Sequence, residues 1–171
     1  TPMAFETAKI KSSKVFPDVK IFQPSVSHDE RGSIFTTYDK EIYEPFLPGA
    51  LEFIHDKFAE SKHNVLRGLH GDKKTWKLVS CISGTIFQVA VDMRPDSPNY
   101  KKWDSWILND QNKLQILIPP HFVNGYYVIS NHAIFHYKLA YSGEYIDADD
   151  QIVVKWDEPE LNIDWPCIDP I

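Results

Sequence analysis

A lysine and a histidine in the segment RGLHGDKKTWKL (67–78) could support proton-transfer chemistry. His70 can accept a proton at neutral pH because an imidazole has a pKa of about 6.5. Lys77 shares strand parity with Val79 and Cys81, so its side chain should point the same way as two small apolar ones. An ammonium aimed into apolar surroundings is costly unless its charge is used. Lys77 is therefore the more unusual residue, whereas His70 alone would also suit an exposed hairpin.

A second candidate segment, HAIFHYKLAY (132–141), carries a tyrosine among apolar residues. Its period-two pattern places Phe135, Tyr137 and Leu139 on one face of a strand. A tyrosine hydroxyl can donate a proton in a general-acid step. A buried tyrosine with a satisfied hydroxyl is also a common core residue, so both interpretations of Tyr137 stay open at this point.

The seven histidines raise the question of a metal site. A metal-binding β barrel would use an HxH pair, a carboxylate and a later histidine on neighbouring strands. Gly71 and Asp72 follow His70, so no second histidine completes such a pair. His132 and His136 are spaced too widely along one strand to form it. We therefore predict no bound catalytic metal.

The composition is that of one globular domain of 171 residues. The formal net charge of −6 argues against nucleic-acid binding and electrostatic membrane binding, since both need a basic excess. The longest stretch without a charged residue, Leu114 to Tyr137, contains Pro119-Pro120 and three histidines, so we reject a membrane span. Two cysteines without a CxxC pair indicate a reducing compartment. We expect a soluble, cytoplasmic protein.

Segments with period-two alternation recur along the chain, separated by turn residues. Two of them flank an acidic turn around residues 28–30, and only EIYEPFLPG (41–49) suits a short helical turn. No repeat, low-complexity tract or linker interrupts the pattern. Regularly spaced short strands are typical of an all-β sandwich or barrel. We predict a single all-β domain over residues 1–171.

These segments together resemble the RmlC-like family of nucleotide-sugar 3,5-epimerases, typified by dTDP-4-dehydrorhamnose 3,5-epimerase. The resemblance extends from Phe22 to Pro166, with its motifs in the family's order. They are DERG (29–32), VLRGLH (65–70), KLVSC (77–81), VAVDMRPDSPNYKKW (89–103), IPPHFVNGY (118–126), FHYK (135–138) and NIDWP (162–166). The resemblance implies a cupin-type jelly roll, usually a homodimer that exchanges N-terminal strands, with no metal or organic cofactor.

The resemblance also implies a substrate and a role for five residues. The substrate is a nucleoside-diphosphate-linked 4-keto-6-deoxy sugar, whose C3 and C5 hydrogens are both α to the C4 ketone. His70 matches the family's general base, Lys77 the lysine that faces the enolate oxygen, and Tyr137 the proposed acid on the opposite ring face. Arg31 and Arg67 match arginines that bind the diphosphate. These roles suit the residue types, because a fixed ammonium stabilises an oxyanion and guanidinium groups pair with phosphate oxygens.

Several positions depart from the thymidine-type pattern. Thr36 replaces a carboxylate, Asn124 replaces a site histidine, and Tyr126 replaces a phenylalanine. His55 and Lys57 occupy positions that normally help to hold the nucleotide. These changes resemble the subgroup that epimerises GDP-linked 4-keto-6-deoxy heptoses for capsule or lipopolysaccharide sugars. The resemblance therefore predicts that the substrate is a GDP-heptose or a dTDP-hexose, epimerised at C3, C5 or both. It also predicts that the substrate is contacted by Asn124, Tyr126, His55 and Lys57.

Two other functions are considered beside the epimerase. A related cupin 3,4-ketoisomerase would usually show a second histidine close to His70, which HGDKK does not provide. A non-catalytic barrel that binds nucleotide sugars would not need to keep His70, Lys77 and Tyr137 together. The family's aspartate that orients the catalytic histidine belongs to a SxKD motif that does not appear in this sequence. Which carboxylate orients His70 is therefore left open.

Overall fold

The computed structural model describes residues 8–171, and strands dominate this part of the chain. The strands are β1 (Ala8–Ser12), β2 (Lys20–Pro24), β3 (Val26–Asp29), β4 (Gly32–Phe35), β5 (Phe53–Lys62), β6 (Leu66–Gly71), β7 (Trp76–Ser83), β8 (Thr85–Asp92), β9 (Trp103–Asn109), β10 (Gln115–Ile118), β11 (Phe122–Val128), β12 (His132–Ala140) and β13 (Ile152–Val153). One α-helical turn, α1 (Lys40–Tyr43), continues into a 3-10 turn (Glu44–Phe46), and a second 3-10 turn covers Ala148–Asp150. The all-β prediction is confirmed, and the helical and 3-10 turns together cover residues 40–46, which overlaps the predicted 41–49 region but begins one residue earlier. No helix among the described residues is long and apolar enough to cross a membrane.

Most strands belong to two antiparallel sheets. The six-stranded sheet has the order β1-β2-β10-β7-β12-β5, and the five-stranded sheet has the order β13-β6-β11-β8-β9. Apart from the consecutive pairs β1–β2 and β8–β9, neighbours in each sheet come from distant parts of the chain, as in a jelly roll, where connections cross from one sheet to the other. The candidate residues are thereby divided between facing sheets: His70 is on β6 of one, and Lys77 and Tyr137 are on β7 and β12 of the other.

The main core lies between the two sheets, because its members come from strands of both. Val79 on β7 and Phe135 on β12 face Ile86 on β8 and Val128 on β11, and all four are almost completely buried. Alternation along β7 then requires Lys77 to point to the same side as Val79. The predicted inward direction of Lys77 is thus a consequence of strand periodicity.

Each sheet also has a covered outer face. Leu78 and Phe22, on the far side of the six-stranded sheet, pack beneath the helical turn, where the Phe22 and Tyr43 rings stack with centroids 4.5 Å apart. Asp39 caps that turn by accepting a hydrogen bond from the Glu41 N–H at 3.0 Å. The outer face of the five-stranded sheet is covered by residues 152–165. Both sheets are therefore supported from behind, which fixes the side chains that face inward.

Strands β6 and β11 approach unusually closely, and two glycines allow it. A Cβ on Gly125 would lie 2.5 Å from the Arg67 carbonyl oxygen, and a Cβ on Gly68 would lie 2.6 Å from the Gly125 Cα. Gly68 also has φ of +130°, which disfavours other residues. The register shifts here, between Asn124 and Tyr126, so that Asn124 lies opposite His70. This local irregularity sets one wall of the cavity described below.

The hairpin of β3 and β4 stands apart from both sheets. Within residues 8–171 its two strands pair only with each other. Its tip carries Arg31, which is bonded to Asp29, and Ile34 is 78% exposed. Exposed apolar side chains on an unpartnered hairpin indicate a surface available for contact with another chain.

Candidate active site

A cavity of about 270 Å³ opens between the two sheets. Seven of the nine residues proposed from the sequence line it: Lys57, Arg67, His70, Lys77, Asn124, Tyr126 and Tyr137. They come from β5, β7 and β12 on one side and from β6 and β11 on the other. The fold therefore gathers residues separated by as much as eighty positions in the chain into one site.

His70 lies on β6, where its backbone pairs with Asn124 on one side and Val153 on the other. Burial lowers the pKa of its imidazole, and the nearby positive charge of Lys77 lowers it further. Both effects disfavour the imidazolium form. His70 is therefore a neutral imidazole at neutral pH, which is the form that can accept a proton.

Lys77 connects the two sheets. Its Nζ donates a hydrogen bond of 2.9 Å to Asn124 Oδ1 on the opposite sheet and a longer one, 3.4 Å, to the His70 carbonyl oxygen. Burial lowers the pKa of Lys77 to about 8, Asp72 acts in the opposite direction, and Lys57 adds to the lowering. The ammonium form still predominates at pH 7, so Lys77 can donate to an oxyanion in the cavity.

Tyr137 faces the cavity from the wall opposite His70. Its strand neighbours are Lys57 on β5 and Val79 on β7. Burial raises the pKa of its hydroxyl, while the positive charge of Lys57 lowers it. Tyr137 therefore stays protonated at neutral pH and can act as a proton donor. Its half-buried position among core residues also accounts for its resemblance to an ordinary core tyrosine.

The basic residues at the edge of the cavity could hold an anion. Arg67 is exposed, and its Nε donates a 2.8 Å hydrogen bond to Ser61 Oγ, which leaves much of the guanidinium free. The Lys57 ammonium bonds to Tyr145 Oη at 3.0 Å. Guanidinium and ammonium groups at one opening suit phosphate oxygens.

Two of the proposed residues lie outside the cavity. Arg31 is on the exposed tip of the β3–β4 hairpin, paired with Asp29. His55 lies two residues before Lys57, on the same face of β5. Its Nδ1 contacts Tyr141 Oη at 2.9 Å, and its ring packs against Tyr145. Neither residue is placed by this single chain where it would touch a ligand in the cavity.

The structure adds cavity residues that the sequence did not single out. Asp72 and Thr75 follow His70 and are almost completely buried, and Tyr145 and Asp147 belong to the loop after β12. Asp72 has the strand parity of His70, which could have indicated that its side chain points inward. The polar residues that follow it, Lys73 and Lys74, are instead typical of an exposed turn. Among the described residues no group of three or more His, Cys, Asp or Glu is arranged to hold a metal ion.

Two facing antiparallel sheets around a cavity lined by basic and other ionisable side chains define a protein of the cupin jelly-roll type. The family profile described as dTDP-4-dehydrorhamnose 3,5-epimerase matches residues 13–171. The chain belongs to the dTDP-4-dehydrorhamnose 3,5-epimerase family, whose named members are isomerases.

Individual relatives agree with this membership. The dTDP-4-dehydrorhamnose 3,5-epimerase of Salmonella typhimurium is 37% identical over 153 residues, which cover 88% of this chain and 82% of that protein. Its counterpart in Methanothermobacter thermautotrophicus is 38% identical over 152 residues, with 85% and 78% covered. The crystal structure of dTDP-6-deoxy-D-glucose-3,5-epimerase from Legionella pneumophila, in complex with dTDP-4-keto-L-rhamnose, superposes with a TM-score of 0.87 at 35% identity. That superposition covers 96% of this chain and 86% of the other.

Proposed function

We propose that this protein epimerises a nucleoside-diphosphate-linked 4-keto-6-deoxy sugar at C3, C5 or both, without a metal or organic cofactor. One observation carries the proposal: His70 and Tyr137 line the same cavity from opposite sheets, and Lys77 bonds from one sheet to Asn124 on the other. A base and an acid on opposite faces of a ring are what inversion at carbon requires. Membership of the epimerase family supports the same reaction.

The proposed reaction passes through an enolate. The His70 imidazole removes the proton from the carbon α to the C4 ketone, and the electron pair moves to the C4 oxygen. The Lys77 ammonium stabilises the negative charge that develops there. Tyr137 then returns a proton to the same carbon from the opposite face, which inverts its configuration. The phenolate and imidazolium are reset by proton exchange with solvent.

Solvent isotope incorporation tests the proposal. The protein is incubated in D2O with a 4-keto-6-deoxy nucleotide sugar, and deuterium at C3 and C5 is followed by NMR. An epimerase incorporates deuterium at the inverted carbon and leaves the ketone at C4. A ketone at C3 would instead identify a 3,4-ketoisomerase, and binding without exchange would identify a non-catalytic barrel.

The nucleotide and the sugar length form a finer part of the proposal. The relatives named above are dTDP-linked enzymes and give no support for GDP-linked heptose. The GDP-linked heptose is favoured by Asn124, which replaces a histidine of the thymidine-type pattern, and Tyr126, which replaces a phenylalanine. Both residues line the cavity. Parallel D2O incubations with dTDP-hexose and GDP-heptose substrates decide between them, since the correct substrate should exchange faster at equal concentration. The product in either case would serve the synthesis of a capsule or lipopolysaccharide sugar, in the cytoplasm.

We also propose that the protein works as a homodimer in which the β3–β4 hairpin reaches the partner. Arg31 is proposed as a diphosphate ligand, yet it lies outside the cavity of its own chain. The hairpin pairs with no other strand within residues 8–171, and its Ile34 and Phe35 are exposed. Insertion into a second copy would cover these apolar side chains and bring Arg31 to the partner's cavity.

A further inference from the structure

Asp72 is a buried carboxylate that the reaction described above does not use. It is 4% exposed and lies in the cavity wall, two residues after His70. Its Oδ1 accepts hydrogen bonds from the N–H groups of Lys74, at 2.9 Å, and Thr75, at 2.7 Å. Its Oδ2 is buried and has no hydrogen-bond partner in the described part of the chain. A buried carboxylate oxygen in this state is costly unless a positive charge lies nearby.

Lys77 is the cation that this carboxylate can balance. The two hydrogen-bond acceptors of the Lys77 ammonium, Asn124 Oδ1 and the His70 carbonyl, are both neutral. They satisfy two of its three N–H donors but do not compensate its charge. Within the cavity, burial and the Lys57 ammonium both act against the charge of Lys77, and Asp72 acts in its favour.

The other groups around Lys77 do not take this role. Besides Asp72, the charged or titratable side chains that share its cavity are Lys57 from β5, Arg67 and His70 from β6, Tyr126 from β11, Tyr137 from β12, and Tyr145 and Asp147 from the following loop. Asp147 is the other carboxylate among them, and it acts on Lys57. Asp72 is therefore the acidic group associated with Lys77.

We propose that Asp72 is a positioning residue whose buried negative charge keeps Lys77 in its ammonium form, ready to stabilise the enolate oxygen. The two backbone N–H groups fix Asp72 Oδ1 in place, so its charge stays within the cavity wall and is not free to turn to solvent. The inference rests on the proposed epimerase function, but its central claim concerns only the charge of Lys77.

The direct test is Asp72→Asn, which keeps the shape and one oxygen acceptor and removes the charge. Competitive acetylation of lysines across pH, followed by peptide mass spectrometry, reports the titration of Lys77 without any substrate. We expect its midpoint, at a pKa of about 8 in the natural protein, to fall by about one pH unit or more. The matched control is Asp96→Asn, which removes an exposed charge outside the cavity and should leave the midpoint in place.

The activity readout follows from the same shift. Epimerisation needs the ammonium, so the rate falls as the pH rises through the pKa of Lys77. The basic limb of the pH–kcat profile should therefore move to lower pH in Asp72→Asn, and Asp72→Glu should restore it in part. An unchanged Lys77 midpoint in a folded variant overturns the inference. An altered midpoint in a protein that turns over no sugar would instead count against the proposed function alone.

A second variant covers the case in which Asp72→Asn does not fold. In Lys77→Met the buried Asp72 carboxylate is left without a cation, so this variant should have a lower melting temperature than the natural protein at pH 7. Adding Asp72→Asn to Lys77→Met removes the unpaired charge and should recover part of that loss. A double variant no more stable than Lys77→Met would contradict the pairing of Asp72 with Lys77.

Discussion

The three residues proposed to move or stabilise charge respond differently to the same burial. It lowers the pKa of His70 and of Lys77 and raises that of Tyr137. A neutral imidazole is a base and a protonated phenol is an acid, so His70 and Tyr137 are each in the form their role needs. Burial therefore favours, in both residues, the protonation state that the proposed role requires.

The roles of His70 and Tyr137 can be separated by isotope exchange. His70→Asn should abolish both epimerisation and deuterium incorporation, because no enolate forms. Tyr137→Phe should nearly abolish inversion but retain some incorporation with unchanged configuration, because the enolate still forms and is reprotonated through His70. NMR of the reaction in D2O measures both at matched concentrations of folded protein.

A structural tyrosine would give another result. Loss of one hydroxyl from a core tyrosine costs about 1 kcal/mol of stability and leaves the stereochemical outcome alone. Near-UV circular dichroism checks that both variants fold. Full inversion by Tyr137→Phe, or vigorous exchange by His70→Asn, would show that the roles are assigned wrongly.

Arg67 is the proposed diphosphate ligand that one chain can supply by itself. Arg67→Ala should weaken nucleotide-sugar binding by about ten-fold, because one charge-assisted contact is worth roughly 1.5–3 kcal/mol and solvent screening favours the lower end. Isothermal calorimetry with the nucleotide sugar measures the change. Lys62→Ala serves as the control, because Lys62 is an exposed basic residue at the end of β5, outside the cavity. Equal losses in the two variants would indicate a general charge effect.

Strand alternation predicted the inward direction of some cavity side chains and missed that of others for a physical reason. Lys77 and Tyr137 lie on regular strands, where alternation fixes direction, and both line the cavity. Asp72 comes directly after β6 and before a Lys-rich turn, where strand alternation no longer fixes the direction of a side chain. Its burial comes from the turn before β11, where the His121 N–H bonds to the Asp72 carbonyl at 2.8 Å. A contact between segments so far apart in the chain leaves no local signal.

At the scale of secondary-structure elements, the strands were predictable and their partners were not. The hairpin predicted around an acidic turn at 28–30 is present, with its turn at residues 30–31, and the helical turn predicted within 41–49 begins one residue earlier, at Lys40. The sheet order, which places His70 opposite Asn124, follows from tertiary packing and from the register shift on β11. Periodicity carries the direction of a side chain but not the identity of the neighbouring strand.

The close approach of β6 and β11 can be tested with one methyl group. Gly125→Ala would place a Cβ against the backbone of Arg67 and Gly68, which have no flexible end to move aside. We expect a stability loss of about 1–3 kcal/mol and a larger fractional loss of kcat, because β11 carries Asn124. Urea denaturation and epimerase assays measure the two.

Gly49→Ala is the matched control for this substitution. Gly49 has open space around its Cα and lies outside the cavity, so the added methyl group meets only the backbone cost of φ +57°. Its turnover should be unchanged. An active Gly125→Ala variant would mean that the two strands can separate without disturbing the site.

At the scale of the whole molecule, the hairpin proposal predicts complementation between two inactive variants. If Arg31 acts in the partner's cavity, co-expressed Arg31→Ala and His70→Asn chains form mixed dimers with one intact site. Random pairing then restores about a quarter of the natural activity. Steady-state rates and light scattering of the purified mixture measure activity and mass. No recovery from a dimeric mixture would place Arg31 in its own chain's site, and an active Arg31→Ala variant by itself would place Arg31 outside catalysis.

The strand that carries His70 is completed by residues that are synthesised much later. On one side β6 pairs with β13, through His70 and Val153, and the Leu66 N–H bonds to the Ile171 carbonyl at 3.1 Å. On the other side it pairs with β11. A nascent chain on the ribosome therefore holds its proposed base long before it can order the strand around it. The site therefore assembles late in synthesis of the chain. A ribosome-stalled fragment that ends before residue 150 should not bind nucleotide sugar.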